Sequence, residues 1–145
     1  AAMKVFESYA ELAKEFTPVF KQIGIQMILF ANKEPKLFQL LYMQEHSDSK
    51  GFDEYFRYLG ETGELCLNVL MQEYELNRKE AEALFKQVWI FTFGLATLSA
   101  MKVYEYTEEQ ISDMLTREFT GAVMMMKSDL KKVNTNKPEK NGGKR

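Results

Sequence analysis

What this chain lacks narrows its chemistry before anything else is read. A single cysteine, Cys66, stands among 145 residues, so no internal disulfide can form. Nothing adapts the chain to an oxidising compartment, and a cytoplasmic home is expected. The single histidine, His46, sits in the polar stretch "HSDSKG" without an E-x-x-H or H-x-x-x-H partner. That removes the usual di-iron and zincin sites of helical proteins, and no metal or cofactor is expected. The glycine patterns that cradle phosphates or present a nucleophile, G-x-G-x-x-G, G-x-x-x-x-G-K and G-x-S-x-G, are missing. "GETG" matches the spacing of an RNA-clamping loop, but its interior is acidic and its neighbours are helical. The carboxylates Glu7, Glu11 and Glu15 run down the polar side of one helix and read as solvated. No residue is nominated as nucleophile or base, and the chain is not expected to be an enzyme.

Basic charge is also outnumbered by acidic charge outside one segment. Residues 131–145, "KKVNTNKPEKNGGKR", carry a local +5, which against −2 overall leaves −7 for residues 1–130. So acidic a body repels phosphate backbones and does not grip nucleic acid unaided. The tail itself lacks apolar residues beyond Val133, and its Pro, Asn and Gly content leads to an expectation of disorder.

The signals that are present are helical. "KVFESYAELAKEF" spaces Val5, Phe6, Tyr9, Leu12, Ala13 and Phe16 as one apolar stripe. Thr17 and Pro18 restart the chain into "PVFKQIGIQMILFANK", apolar around most of its second half, and Pro35 starts the short "PKLFQLLYMQE". Around Gly60 and Gly63, "FDEYFRYL" and "ETGELCLNVLMQEYE" read as one kinked helix or two successive ones. Two capping boxes follow, Asn77 with Glu80 and Thr107 with Gln110. Each is flanked by a hydrophobic staple, Leu76 with Ala81 and Tyr106 with Ile111. They predict long helices over about 78–102 and 108–128. The fold class is therefore all-α, a bundle of about six helices in one domain over residues 1–130.

Apolar material exceeds what one small core obviously needs. "VWIFTFGLATLSAM", Val88 to Met101, runs fourteen residues without a charge, too short for a membrane span of roughly 20, and no membrane association is expected. The chain also holds nine methionines and eleven phenylalanines, a mixture that suits an adaptable pocket. The last helix carries Met114, Leu115, Phe119, Ala122, Val123 and Met124 to Met126 over a wide arc. Two helices apolar on two faces each can pack one face inward and offer the other to a twofold mate.

The segment "AEALFKQVWIFTFGLATLSAMKVYEYTEEQISDMLTREFTGAVMMM", with Trp89, Gly94, Leu95 and Ala96 in register, resembles the C-terminal effector domain of TetR/AcrR-family transcriptional repressors. The upstream "QMILFANKEPKLFQLLYM" is similar to that domain's pocket helix, bend and continuation, and Phe93 stands where many relatives have histidine. The resemblance implies a homodimer through a four-helix seam of the last two helices, with Leu95, Leu98, Ser99, Phe119, Val123 and Met126 expected in it. It implies a small apolar effector held among Ile23, Met27, Phe30, Phe38, Tyr42, Cys66, Leu70, Trp89 and Phe93. It also implies a helix-turn-helix region that would contact DNA. The opening "AAM" leaves no room for that region before Val5, so a truncated chain beginning at the connector helix is expected. A helical protein-interaction module without a small-molecule ligand is the alternative.

Overall fold

The computed structural model describes residues 19–43 and 51–136. The expected helix over Val5–Phe16, the His46 loop and residues 137–145 of the basic tail lie outside them. Among the described residues all regular structure is helical, in six helices.

Helix α1 (Val19–Lys33) buries Ile23, Ile25, Met27, Ile28, Phe30 and Ala31, which lie on several sides of its axis. An apolar circumference of that width demands neighbours all round, and α1 packs on four of the other helices. It stops at Glu34, because the residue before a proline is disfavoured in helical conformation, and Pro35 opens α2 (Pro35–Tyr42). Helices α3 (Phe52–Tyr58) and α4 (Gly60–Tyr74) are two separate helices, meeting at Leu59. The junction needs glycine twice. Gly60 has φ +56°, where a side chain would be strained. A Cβ on Gly63 would come within 3.0 Å of the Phe56 ring, so its absence lets α3 lie against α4.

Both capping boxes form. Asn77 Oδ1 accepts from the Glu80 N–H at 2.9 Å and Glu80 Oε2 from the Asn77 N–H at 3.0 Å, opening α5 (Arg78–Ala100). Thr107 Oγ1 accepts from the Gln110 N–H at 3.2 Å and Gln110 Oε1 from the Thr107 N–H at 3.0 Å, opening α6 (Glu108–Thr135). Helix α6 continues to Thr135, so residues 131–135, expected in the tail, are helical. Its last turns are exposed, so the extension rests on good helix formers such as Leu130, Lys131 and Lys132 and not on burial.

Two helices end without glycine in the left-handed position. Glu75 closes α4 with φ 54°, and the Leu76 N–H donates back to the Met71 carbonyl at 3.3 Å. Lys102 follows α5 with φ 58°, its N–H donating to the Ser99 carbonyl and the Val103 N–H to the Leu98 carbonyl, both at 3.1 Å. This is the Schellman pattern, which saturates carbonyls that a helix end leaves open. The Lys102 ammonium then donates to the Asn32 carbonyl oxygen at 2.9 Å, tying the α5–α6 corner to the end of α1.

Helix α5 packs most extensively on α1, and also on α4, α6 and α2. Its 23 residues reach the length of a membrane span, and half of its most apolar window is buried inside the fold. Burial covers Leu84, Phe85, Val88, Trp89, Thr92, Leu95, Ala96 and Ser99. The opposite side, with Ile90 57% exposed, Gly94 open and Leu98 39% exposed, is left partly uncovered. The uncharged segment is thus satisfied on one side only. Across the α4–α5 turn, Arg78 holds Glu64 through two hydrogen bonds, at 2.7 and 3.1 Å, and Glu82 at 3.0 Å. These pull the Glu64 carboxyl below its usual range, but the pair is half exposed and contributes little to stability.

The end-group geometry gives paired expectations for urea denaturation. Asn77→Ala removes a cap and lowers stability by about 1 kcal/mol. Glu75→Gly relieves a left-handed residue and raises it by about 0.5–1 kcal/mol.

Candidate ligand cavity

Four helices leave a cavity of about 290 Å³ between them. Helix α1 contributes Lys21, Ile23, Gly24 and Met27, while α4 contributes Cys66 and Tyr74. Helix α5 supplies Phe85, Val88, Trp89 and Thr92, and α6 supplies Leu115, Thr116, Phe119 and Thr120. The spacing explains the set: Phe85, Val88, Trp89 and Thr92 recur at i, i+3, i+4, i+7, as do Thr116, Phe119 and Thr120 at i, i+3, i+4. Gly24 permits the close approach of α1 to α6, since a Cβ there would meet Leu115 Cδ1 at 3.1 Å.

Rigid rings make up much of the wall. Phe85 and Trp89 stack with centroids 5.5 Å apart, and Tyr74 meets Phe119 edge-on at 4.9 Å. The polar groups are few and partly committed. Thr92 Oγ1 donates to the Val88 carbonyl and Thr116 Oγ1 to the Ser112 carbonyl, each at 2.8 Å, so within the cavity these oxygens can only accept. Burial pushes the Cys66 thiol up to about 12 and also raises the Tyr74 phenol, to which the nearby Glu73 charge adds. Both are therefore neutral near pH 7. Among the described residues the lining includes no carboxylate and no imidazole. Such an arrangement can enclose an apolar body and fix it at a few polar points.

A second, more open hollow of about 290 Å³ lies on the other side of Trp89, lined by Tyr42, Phe52, Tyr55, Ile90 and Phe93 as well as Trp89 itself. The nine residues expected around an effector therefore separate. Ile23, Met27, Cys66 and Trp89 line the main cavity. Tyr42 and Phe93 line the second hollow, their rings 6.2 Å apart in an edge-on arrangement. Phe30, Phe38 and Leu70 are fully buried and line neither. Lys21, Tyr74, Thr92, Leu115 and Phe119 also line the main cavity, beyond the nine expected residues. For Leu115 and Phe119 the signal is the wide apolar arc of the last helix; Lys21, Tyr74 and Thr92 lie on three other helices and no spacing in the sequence marks them as lining.

The expected seam residues separate too. Leu98 is exposed, Val123 and Met126 are half-buried, and Phe119 faces the cavity. Leu95 and Ser99 are 5% and 1% exposed, enclosed by their own chain. The exposed line of α5 is Ile90, Gly94 and Leu98, four residues apart. On α6, Gly121 and Met125 make a similar line, and a Cβ on either Gly94 or Gly121 would meet nothing within 4 Å. Among the described residues no group of three or more His, Cys, Asp or Glu side chains comes together as a metal site would require.

Comparison with protein-family models, with curated proteins and with solved structures gave no significant match.

The thiol gives this subsection its prediction. In the folded chain Cys66 should alkylate about a thousandfold more slowly at pH 8 than in the urea-unfolded chain, since thiolate is the reactive form and a thiol at about 12 has almost none. The same shift affects stability. Unfolding lets the proton leave near 9, so the contribution of Cys66 is complete below pH 9 and is lost as pH rises toward 12. A Cys66→Ser chain should show a shallower stability loss across that window.

Proposed function

We propose that this chain is the ligand-sensing and dimerising part of a TetR-like transcriptional repressor. In this reading a small apolar effector occupies the main cavity and controls DNA binding by a helix-turn-helix region of the longer protein. The observation that carries it is the cavity: its residues come from α1, α4, α5 and α6, and it is walled by rings and aliphatic side chains with few polar groups. That is the construction of a small-molecule site.

The mechanism follows from which helices the occupant touches. Helix α1 gives four residues to the wall, and in this reading the segment before it would connect to the reading head. An effector that fits one separation of α1 from α6 better than another favours the dimer geometry belonging to that separation. Its differential affinity is the whole of the allosteric free energy, and it releases DNA when the favoured geometry misplaces the reading heads relative to the operator half-sites. Dimerisation itself uses the uncovered side of α5 and α6. Leu98 together with Ile90, Gly94, Gly121 and Met125 is apolar, and two of its five members are glycines that allow close helix approach. The same surface supports the second reading, a helical module that binds a different protein and no small molecule.

Native mass spectrometry of the purified chain separates the two readings. A twofold mass that Leu98→Glu converts to monomer, with retained small molecules of a few hundred daltons, is the expected result. A monomer at micromolar concentration with no retained compound would favour the interaction module. Trp89→Ala should weaken retention of the compound by at least tenfold while circular dichroism reports an intact helical fold.

A further inference from the structure

Resting on the cavity reading above, the chemistry of the lining can be taken one step further, to the class of ligand. Among the described residues the main cavity has one charged residue in its wall. Lys21 is half-buried in the first turn of α1, and its ammonium has no carboxylate partner among the described residues. The rest of the described lining is neutral: two threonine hydroxyls donate hydrogen bonds to backbone carbonyls, and the thiol and phenol stay protonated. A cationic ligand would meet a like charge and no counter-charge. A neutral ligand would leave the lysine unpaired as it displaced water. An anion on the end of an apolar body satisfies both parts of the site, since an ammonium with three free donors binds a carboxylate through charge-assisted hydrogen bonds.

Size limits the body. At interior packing density a methylene-sized group occupies about 25–30 Å³. A cavity of about 290 Å³ therefore takes roughly ten of them. We infer that the cavity takes a medium-chain or comparably sized aromatic monocarboxylate, its apolar body between Trp89, Phe119 and Met27 and its carboxylate on Lys21.

Trp89 is the sole tryptophan and lines the cavity, so its emission reports occupancy without a label. Decanoate and 1-decanol should be titrated at pH 7.5 into the wild-type chain and into Lys21→Met and Lys21→Arg. Methionine keeps the stem and deletes the charge; arginine keeps the charge. The expected result is that decanoate binds roughly tenfold more tightly than 1-decanol to wild type, as a partly exposed charged hydrogen bond should allow. The advantage should vanish in Lys21→Met and return in Lys21→Arg, with 1-decanol unaffected by either. Equal binding of acid and alcohol to wild type, or an advantage that survives Lys21→Met, would overturn the anion assignment while leaving an apolar pocket in place. No response to either compound would overturn the assignment and the pocket reading together.

Discussion

The packing of α1 against α5 is the constraint on which the rest of this structure depends. Each is apolar over more of its surface than one neighbour can cover, and the other helices are arranged to cover the remainder. Helix α1 succeeds, with buried residues on several sides. Helix α5 succeeds only for one side, leaving Ile90, Gly94 and Leu98 open. Covering α1 so fully has a side effect. The helices that surround it meet it with large rings, and rings of fixed shape do not interdigitate as freely as aliphatic chains. The cavity beside Trp89 and Phe119 is the space they leave.

The cavity and the open face are thus two consequences of one excess of apolar residues. They impose opposite demands. A space inside the fold loses packing contacts unless something fills it, and a face outside exposes apolar surface unless something covers it. A protein selected only for its own stability would shrink both. Retaining them is coherent for a chain whose working state includes an occupant and a mate, and this is the physical content of the effector-domain reading.

Local structure was readable from the sequence because it depends on local chemistry. The capping boxes at Asn77 and Thr107 form as their spacing indicates, and the break at Pro35 falls where proline geometry requires it. The all-helical class follows from the same signals. What was not readable is which side of a helix meets which neighbour. Leu95, Leu98 and Ser99 are close in sequence, yet rotation by 100° per residue buries the first and last and exposes the middle one. Phe119 is drawn into the cavity for the same reason, since only the tertiary arrangement decides whether an apolar side chain turns inward. Phe30, Phe38 and Leu70 share their residue types with true lining residues, and composition does not separate filler from wall. The end of α6 differs on another ground: the Pro, Asn and Gly content that favours disorder is concentrated after Val133, whereas residues 131–133 are good or tolerable helix formers and no proline intervenes before Pro138.

The bond from Lys102 to the Asn32 carbonyl has a mechanical meaning. It joins one end of α1 to the corner between α5 and α6. At 1.5 Å per residue, the fifteen residues of α1 make a rod about 22 Å long. A rod pinned at one end moves by tilting. Rotation of about 5° about the Asn32 end carries the opposite tip through roughly 2 Å, while the pinned end barely shifts. Gly24 and Met27 lie near the middle of the rod and Lys21 near its opposite end. A displacement at mid-rod would therefore be about doubled at the Val19 end of the helix.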